Sequence, residues 1–560
     1  MKENYTINHS TRLKYIRLDM NENNWGPSPG ILDVIHNLKS EDISVYPEKD
    51  KLLNMLARKL KIRVENILLG NGSDELIDLI TRNYVTEDSH VILPIPTFSM
   101  FEICFDKKTS EVHKILYENN FSYPTENVIA AVKDQTSIIV AVSPNNPTGT
   151  ILPRKQLIRI LGSAPQATVI LDEAYAEFAG ESNLDLIKSY PNLIVLRTFS
   201  KSYGLAGLRL GYAVSDQKNI DLIKQYQMPF SINSIALKVA VATIKTTSLL
   251  SEMMRKANHE KQELISALHR LEFPVRETKA NFVLVKTGLW TDEIYRALKR
   301  KGILVRNLRH YPLMETYLRI TVGRIDENQK FIDALRTIIS SKLIIFDMDG
   351  VLVDTRKSYD QAIKETVRHF TSKNISNEDI WNLRNKGNYN NDWRLTHDLI
   401  RNSGREVAFE EVKAVFQQTF SGDDFNGLIL REEWCADLQL LQKLSESNTL
   451  AIFTGRPRSE AMFTLQKNNA AAFFSQIITC DDLTDDEQKP NPEGVKRLIS
   501  EHSTEIALYI GDTVDDVTAA LSAGITSVLC TSNTDSSKKI KKADCRFAFS
   551  TINDIMEAML

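Results

Sequence analysis

Short, almost uninterrupted runs of Val, Ile and Leu recur along this chain. Polar or glycine-containing loops and then helical patterns follow these runs. Strands buried on both faces of a parallel sheet have this composition, whereas half-exposed strands alternate apolar and polar residues. The runs predict strands at 67–69, 91–93, 137–142, 168–171 and 193–196. The first part of the chain is therefore expected to form a parallel α/β sheet with helices on both faces.

The pattern changes after about residue 245. A long helical segment, 248–272, leads to an α+β stretch that ends at 318–323. We predict a smaller lobe here, completed by the N-terminal segment. Residues 1–340 would then be one domain, with a large part at about 40–245 and a small lobe from 1–39 and 246–340.

A second α/β pattern begins with the apolar run 343–346, and no flexible Gly/Ser linker precedes it. Residues 341–560 are predicted to be a second domain, and its strands are expected to resume at 450–453, 477–480, 507–510 and 527–530. The stretch between its first two strands, at about 356–430, is largely helical. This predicts a helical insertion.

Composition excludes several classes of protein. The net charge of −3 does not indicate the basic surface that is typical of nucleic-acid binding. The sequence contains no run of 18 apolar residues, so no membrane span is expected. The five cysteines form no CxxC pair, so neither a disulfide framework nor a zinc site is expected. The N-terminus lacks the apolar core of a signal peptide, and a reducing, cytoplasmic setting is the default expectation.

Lys201 lies in a glycine-bent turn after the predicted strand 193–196. Thr198, Ser200 and Arg209 lie close to it in the sequence. An amine here could condense with an aldehyde cofactor, while the hydroxyls and the guanidinium bind a phosphate. On this segment alone, a surface lysine in a turn is about equally compatible.

Other loops after predicted strands carry polar groups suited to the same chemistry. Asp172 follows one strand, Asn146 lies in the Pro-rich loop 143–149, and the glycine-containing loop 70–75 precedes a helix. Helix N-termini bind anions through backbone N–H groups, and an Asp can keep a pyridine nitrogen protonated. Each feature alone is more often a turn or a cap.

Taken together, these strings resemble the fold-type I, pyridoxal-phosphate-dependent aminotransferases of class I/II, and most of all the histidinol-phosphate aminotransferases. The segments 18–23, 26–29, 46–48 and 318–323 resemble that family too. The resemblance covers about residues 10–340. It implies a large α/β domain with a small α+β lobe, and a homodimer.

The resemblance also implies roles for individual residues. Lys201 would be the Schiff-base lysine and proton carrier, and Asp172 would pair with the ring nitrogen. Further cofactor contacts are implied at the phenolic oxygen (Asn146, Tyr175), the ring face (Phe98) and the phosphate (Ser73, Asp74, Thr198, Ser200, Arg209, and Tyr46 from the neighbouring subunit). The implied substrate contacts are Arg319 for a carboxylate, Arg306 for a phosphate, and Asn23.

A second set of motifs begins with Asp347 and Asp349, directly after the strand 343–346. One carboxylate could attack phosphorus while the other handles the leaving-group proton. A calcium loop is the rival interpretation, but EF-hand spacing is absent. Thr454, Lys489, Asp512 and Asp516 follow in loops further along, and paired acids could hold Mg²⁺.

This set resembles the haloacid-dehalogenase-like hydrolases over about residues 342–560, which implies a Rossmannoid domain with a helical cap. Asp347 would be the nucleophile and Asp349 the general acid/base, with Thr454 and Lys489 binding the phosphoryl group. The implied Mg²⁺ ligands are Asp347, the backbone carbonyl of Asp349, and Asp512, with Asp516 in support. In the cap, Arg384, Lys386, Asn388 and Trp393 are candidate substrate contacts, although structural roles are favoured.

The sequence therefore predicts a bifunctional enzyme. Its first half would exchange amino groups between glutamate and imidazole acetol phosphate, giving histidinol phosphate and 2-oxoglutarate. Its second half would hydrolyse a phosphate monoester, which could be histidinol phosphate. Three alternatives stay open: an aromatic or other aminotransferase, or a threonine-phosphate decarboxylase-like enzyme, with an unrelated phosphatase; and a non-enzymatic regulator that binds pyridoxal phosphate.

Overall fold

The computed structural model describes residues 12–109, 111–384, 389, 391–531 and 545–560. The chain divides into two compact units. The first comprises Met1–Thr287 and Leu298–Ala334, and the second comprises Gly288–Ala297 and Leu335–Leu560.

The main sheet of the first unit has seven strands in the order β2-β8-β7-β6-β5-β3-β4. The strands are β2 (Ile67–Gly70), β3 (His90–Ile95), β4 (Val112–Leu116), β5 (Thr136–Val142), β6 (Thr168–Asp172), β7 (Leu193–Thr198) and β8 (Gly211–Ser215). The five predicted strands are confirmed. The strands β3 to β7 pair in parallel, as expected, whereas β8, which was not predicted, lies antiparallel between β7 and β2.

Apolar clusters cover both faces of this sheet. In β5, Ile138 and Val140 belong to one cluster, whereas Ile139 and Ala141 belong to the other. The helices of the first unit are Ile31–His36, Glu41–Ser44, Asp50–Leu60, Gly72–Tyr84, Ser99–Phe105, Thr125–Ala130, Arg154–Ser163, Ala176–Ala179, Gln217–Lys224, Ser234–Lys245 and Thr247–Arg270. Burial on both faces explains why the strands are almost entirely apolar.

A second sheet of the first unit has five strands in the order β1-β11-β12-β10-β9. They are β1 (Ile16–Leu18), β9 (Val275–Arg276), β10 (Phe282–Lys286), β11 (Ile303–Asn307) and β12 (Tyr317–Thr321). The N-terminal strand β1 pairs in parallel with β11. The boundaries between the units at 297/298 and 334/335 in the sequence fall within two helices, Thr291–Arg300 and Ile325–Ile339.

The second unit contains a six-stranded parallel sheet in the order β17-β16-β13-β18-β19-β20. The strands are β13 (Lys342–Phe346), β16 (Thr449–Phe453), β17 (Gln476–Ile478), β18 (Ile506–Gly511), β19 (Thr526–Cys530) and β20 (Phe547–Phe549). The five predicted strands are present, and β20 was not predicted. A small antiparallel pair joins β14 (Val353–Asp354) to β15 (Glu433–Trp434).

The predicted helical insertion consists of Tyr359–Thr371, Asn377–Arg384, Asp392–Asn402 and Phe409–Phe420, which share their own apolar core. The remaining helices of this unit are Leu438–Ser447, Arg458–Lys467, Glu493–Glu501, Val514–Ser522 and Ile552–Met559. Among the described residues, no single helix has the length and apolarity to cross a membrane, although one bent pair, 234–245 with 249–270, meets those two criteria.

Candidate active sites

The first unit contains a cavity of about 660 Å³ at the carboxyl ends of β5, β6 and β7. Parallel strands end at the same edge of a sheet, so loops that are distant in sequence meet there. The cavity is lined by twelve of the residues singled out from the sequence: Ser73, Asp74, Phe98, Asn146, Asp172, Tyr175, Thr198, Ser200, Lys201, Arg209, Arg306 and Arg319. Its volume suits a small organic ligand.

Lys201 points into this cavity from the loop after β7. Its Nζ donates a hydrogen bond to the carbonyl of Met20 at 2.9 Å and lies 5.8 Å from the centre of the Tyr175 ring. The Tyr175 hydroxyl accepts a hydrogen bond from Asn21 Nδ2 at 2.9 Å. A primary amine and a phenol therefore face the same space.

Asp172 ends strand β6 and is almost completely buried, with 3% of its surface exposed. Its Oδ1 accepts a hydrogen bond from the backbone N–H of Ala174 at 3.0 Å. Burial raises the pKa of Asp172 to about 7. A cationic ring nitrogen beside Asp172 would stabilise the charged carboxylate. The carboxylate would in turn keep the nitrogen of a pyridine ring protonated.

A candidate anion site lies at the start of the helix Gly72–Tyr84. Arg209 Nη2 donates to Asp74 Oδ2 at 2.7 Å, and the hydroxyl of Thr198 accepts from the backbone N–H of Ser200. A Cβ at Gly72 would lie 2.6 Å from Arg209 Nη2, and φ at Gly72 is +81°. Glycine therefore allows the guanidinium to approach the helix N-terminus. This arrangement of N–H groups, hydroxyls and a cation fits a phosphate.

Arg306 and Arg319 are register partners on strands β11 and β12. Arg319 is 6% exposed; it donates to the carbonyl of Asp19 at 2.7 Å and to Asn146 Oδ1. Like charges opposite one another on a sheet are destabilising. An anionic ligand in the cavity would offset that repulsion.

Two predicted residues do not line this cavity. Asn23 donates instead to the carbonyl of Ser202 at 3.0 Å, and Asn21, two residues earlier, lies at the cavity wall. Asn21 has φ +54°, so local backbone conformation determines which asparagine faces inward. Tyr46 is 72% exposed and stacks on Phe230, with ring centres 4.1 Å apart.

Four further charged or aromatic lining residues escaped the sequence analysis: Arg12, Asp19, Glu22 and Tyr311. Arg12 binds both Asp19 and Glu22, at 2.6 and 2.8 Å. Asp19 and Glu22 lie within the segment 18–23, which carried part of the family resemblance. That segment could therefore have pointed to these two acidic residues. No motif pointed to Arg12 or Tyr311.

The second site lies in the second unit, at the carboxyl ends of the adjacent strands β13, β16 and β18. Carboxylate oxygens of Asp347, Asp512 and Asp516 lie within 4.8 Å of one another, and all three residues are buried. Lys489 Nζ contacts Asp347 at 2.7 Å and Asp516 at 2.8 Å. When ionised, the three carboxylates exceed the single ammonium by two charges, which suits a divalent cation.

The environment of Asp512 supports this fit. Its Oδ1 is buried and has no hydrogen-bond partner among the described residues. Burial raises the pKa of Asp512 well above its usual value and that of Asp347 to about 7; burial also opposes ionisation of Asp516, but Lys489 lowers its pKa. A Cβ at Gly350 would lie 2.0 Å from Asp512 Oδ2, so glycine is required beside this carboxylate.

Asp349 lies beside this cluster, and its side chain is 32% exposed. Its Oδ1 accepts a hydrogen bond from Arg456 Nε at 2.8 Å. Thr454 is 1% exposed, and its hydroxyl accepts from the backbone N–H of Arg456 at 3.2 Å. The side chain of Asp349 is outside the three-carboxylate cluster, which is compatible with its predicted backbone contact to a metal.

The cap supplies part of a small cavity of about 20 Å³ next to Asp349. Trp393 and Asp392 line it. Arg384 is held between Asp360 and Asp392, at 2.9 and 2.8 Å, which supports its structural role. The other two cap candidates, Lys386 and Asn388, lie outside the described residues.

Comparison with known families identifies the two domains that carry these sites. Residues 14–335, more than half of the chain, match the family described as aminotransferase class I and II. The chain belongs to this aminotransferase family. It is therefore a pyridoxal-phosphate-dependent enzyme, and the residues around the first cavity fit that cofactor. Residues 344–530 match the haloacid dehalogenase-like hydrolases, so a hydrolase domain follows the aminotransferase domain.

Individual relatives resemble the aminotransferase domain over most of their own length. Histidinol-phosphate aminotransferase 2 of Legionella pneumophila is 33% identical over 329 residues, which are 57% of this chain and 89% of that protein. Histidinol-phosphate aminotransferase of Thermoanaerobacter pseudethanolicus is 34% identical over 60% of this chain and 96% of that protein. A crystal structure of a putative histidinol-phosphate aminotransferase from Erwinia carotovora atroseptica has a TM-score of 0.54 and 28% identity, covering 58% and 96% of the two chains.

Proposed function

We propose that this enzyme catalyses two reactions. The aminotransferase domain converts imidazole acetol phosphate and glutamate to histidinol phosphate and 2-oxoglutarate, and the hydrolase domain releases phosphate from a monoester with the help of Mg²⁺. We further propose that the monoester is histidinol phosphate, the product of the first reaction. The observation that carries the first assignment is the pair Arg306 and Arg319, which suits an anionic substrate. The names of the relatives support it.

In the first site, bound pyridoxal phosphate supplies an aldehyde that condenses with amines and a ring that accepts electrons. Lys201 Nζ carries the proton to and from the substrate Cα. Asp172 holds the proton on the ring nitrogen, because its buried carboxylate is stabilised by a cation. Asn146 and Tyr175 would hold the phenolic oxygen of the cofactor, Phe98 would lie against its ring, and Arg306 would orient the substrate phosphate.

In the second site, an oxygen of Asp347 attacks phosphorus, and Lys489 with Thr454 binds the phosphoryl oxygens. Mg²⁺ would be held by Asp347, Asp512 and the backbone carbonyl of Asp349, and it would neutralise charge on the phosphoryl group. Asp516, which accepts hydrogen bonds from Thr513 and binds Lys489, supports these ligands. Asp349 protonates the leaving oxygen and later deprotonates the attacking water.

The aminotransferase domain is proposed to act as a homodimer. Two segments with exposed apolar side chains, 43–46 and 226–230, meet where Tyr46 stacks on Phe230, and Gln227 of the second segment donates to the carbonyl of Leu69 in strand β2. We call their exposed members the apolar patch residues: Ile43, Val45, Tyr46, Tyr226, Met228 and Phe230. Surfaces of this kind mark protein interfaces. A second copy here would bring Tyr46 to the neighbouring cofactor phosphate.

Two further proposals concern the chain as a whole. The domain boundary is proposed at residues 340–341, directly before strand β13, with the cap at about 356–430. A cytoplasmic location is proposed because none of the five cysteines, all within the described ranges, forms a disulfide.

Two assays test the proposed reactions. Purified protein should carry the visible absorbance of bound pyridoxal phosphate, and glutamate should bleach it; a colourless protein after reconstitution would exclude transamination. With histidinol phosphate and Mg²⁺, the protein should release inorganic phosphate. Release no greater than that of an Asp347→Asn variant would exclude the proposed hydrolysis.

A further inference from the structure

Arg456 occupies an unusual place in the hydrolase domain, because it is a fully buried arginine in contact with the predicted general acid/base. It lies in the loop after β16, two residues after Thr454, and its side chain is 1% exposed. Its Nε donates to Asp349 Oδ1 at 2.8 Å, and its Nη2 donates to the same oxygen. Neither the family resemblance nor the motifs drew attention to this residue.

The guanidinium is fixed from several sides. Nη1 donates to Glu432 Oε2 at 3.2 Å and to the Thr464 hydroxyl at 3.1 Å, while Nη2 pairs with Glu432 Oε1 at 2.8 Å. The ring of Tyr359, on the first helix of the cap, lies 5.0 Å from the guanidinium carbon. Arg456 is thus held by the connection that follows the cap, by the core helix and by the cap itself.

Charge compensation alone does not explain the contact with Asp349. Glu432 is itself 2% exposed on its side chain and already supplies a buried counter-ion for the guanidinium. Asp349 is a second carboxylate on the same cation, and its side chain is 32% exposed. Since water could satisfy a partly exposed carboxylate, the two hydrogen bonds to Oδ1 chiefly fix its orientation.

We propose that Arg456 is a positioning residue that orients Asp349 for proton transfer during phosphate-ester hydrolysis. Both hydrogen bonds go to Oδ1, which assigns the proton transfer to Oδ2. The inference rests on the proposed phosphatase function. Because the guanidinium also contacts Tyr359, the orientation of Asp349 is coupled to the position of the cap.

The chemistry has two steps that depend on Asp349 differently. First, Asp347 attacks phosphorus, the P–O bond to the leaving group breaks, and Asp349 gives that oxygen a proton. Second, Asp349 takes a proton from water as the water oxygen attacks phosphorus, and the P–O bond to Asp347 breaks to release phosphate. With p-nitrophenyl phosphate the first step needs little proton donation, because nitrophenolate is a good leaving group. Only the second step then depends strongly on Asp349.

The test uses the full-length protein, p-nitrophenyl phosphate and Mg²⁺. In Arg456→Met, the neutral side chain no longer orients Asp349, and kcat should fall about 10²-fold. kcat/KM, which reports the first step, should change far less, and rapid mixing should give a burst of one nitrophenol per active site. Arg456→Lys should recover part of kcat. Arg458→Met is the matched control, because Arg458 binds Asp482 instead, and it should match wild type.

Removing Arg456 leaves Glu432 as an unpaired buried charge, which can unfold the domain. The double variant Arg456→Met, Glu432→Gln removes both charges and keeps the test decisive. A parallel loss of kcat and kcat/KM without a burst in the folded variant, or wild-type kinetics, would overturn the positioning role. Wild-type protein no more active than Asp347→Asn would instead overturn the phosphatase function on which it rests.

Discussion

At the residue scale, the proposed chemistry depends on charged groups that the fold removes from water. Asp172 and Lys489 are each at most 5% exposed. Sequence motifs predicted both residues, because each motif places a particular residue type in the loop after a particular strand. The strings could not distinguish Asn23 from Asn21, since that choice depends on the left-handed backbone at Asn21. They also could not find Arg12, which enters the cavity from a segment without a motif.

Arg306 should decide the substrate class of the aminotransferase. If it binds the substrate phosphate, Arg306→Ala removes charge-assisted hydrogen bonds worth about 1.5–3 kcal/mol. kcat/KM for histidinol phosphate should then fall about tenfold to hundredfold, with little change for phenylalanine. Arg309→Ala, three residues along and exposed, is the control. An equal loss on both substrates would favour an aromatic or other aminotransferase.

At the element scale, strand ends bring the proposed catalytic groups together. The apolar runs predicted the central strands because burial on both faces leaves a clear composition. The composition of a strand reports its burial but does not determine its direction, so the antiparallel strand β8 was not predicted. Strand β4 was missed because the exposed polar residues His113 and Lys114 break the apolar run. The edge strand β20 has only three residues and was missed as well.

Gly350 tests how closely the loop after β13 must approach the loop after β18. In Gly350→Ala the new Cβ would lie 2.0 Å from Asp512 Oδ2, so the carboxylate must move. We expect Mg²⁺ affinity, measured by calorimetry, to fall about tenfold to hundredfold, and phosphatase activity with it.

A matched control exists at Gly404, which has φ +87° and open space where an added Cβ would lie. Gly404→Ala carries the same left-handed strain, about 1–2 kcal/mol, but leaves the carboxylates alone. It should bind Mg²⁺ like wild type. Equal loss of Mg²⁺ binding in both variants would show that backbone strain, and not contact with Asp512, is responsible.

At the scale of the whole molecule, the chain combines two units with separate chemical centres. Lys201 is the proposed centre of the first unit, and Asp347 is the proposed centre of the second. Sequence alone predicted both folds, because each unit carries an independent set of motifs on its own sheet. It could not reveal the apolar patch residues as a surface, since they come from two separate segments, 43–46 and 226–230.

The patch should control assembly. Met228 is 72% exposed, and Met228→Glu would place a charge in the proposed interface. Light scattering should then find monomers where wild type forms dimers, and aminotransferase activity should fall because Tyr46 no longer reaches the neighbouring site. Leu116→Glu, on the edge strand β4 at the other end of the sheet, should remain dimeric. A dimeric Met228→Glu protein would exclude this interface.

The central claim is that the two centres act in sequence on one substrate. The most direct measurement supplies the protein with imidazole acetol phosphate, glutamate and Mg²⁺ and follows all products over time. Wild type should form 2-oxoglutarate, histidinol and inorganic phosphate in equal amounts. Asp347→Asn should stop at histidinol phosphate, and Lys201→Ala should form no product. Accumulation of histidinol phosphate by wild type, without phosphate release beyond that of Asp347→Asn, would contradict the account.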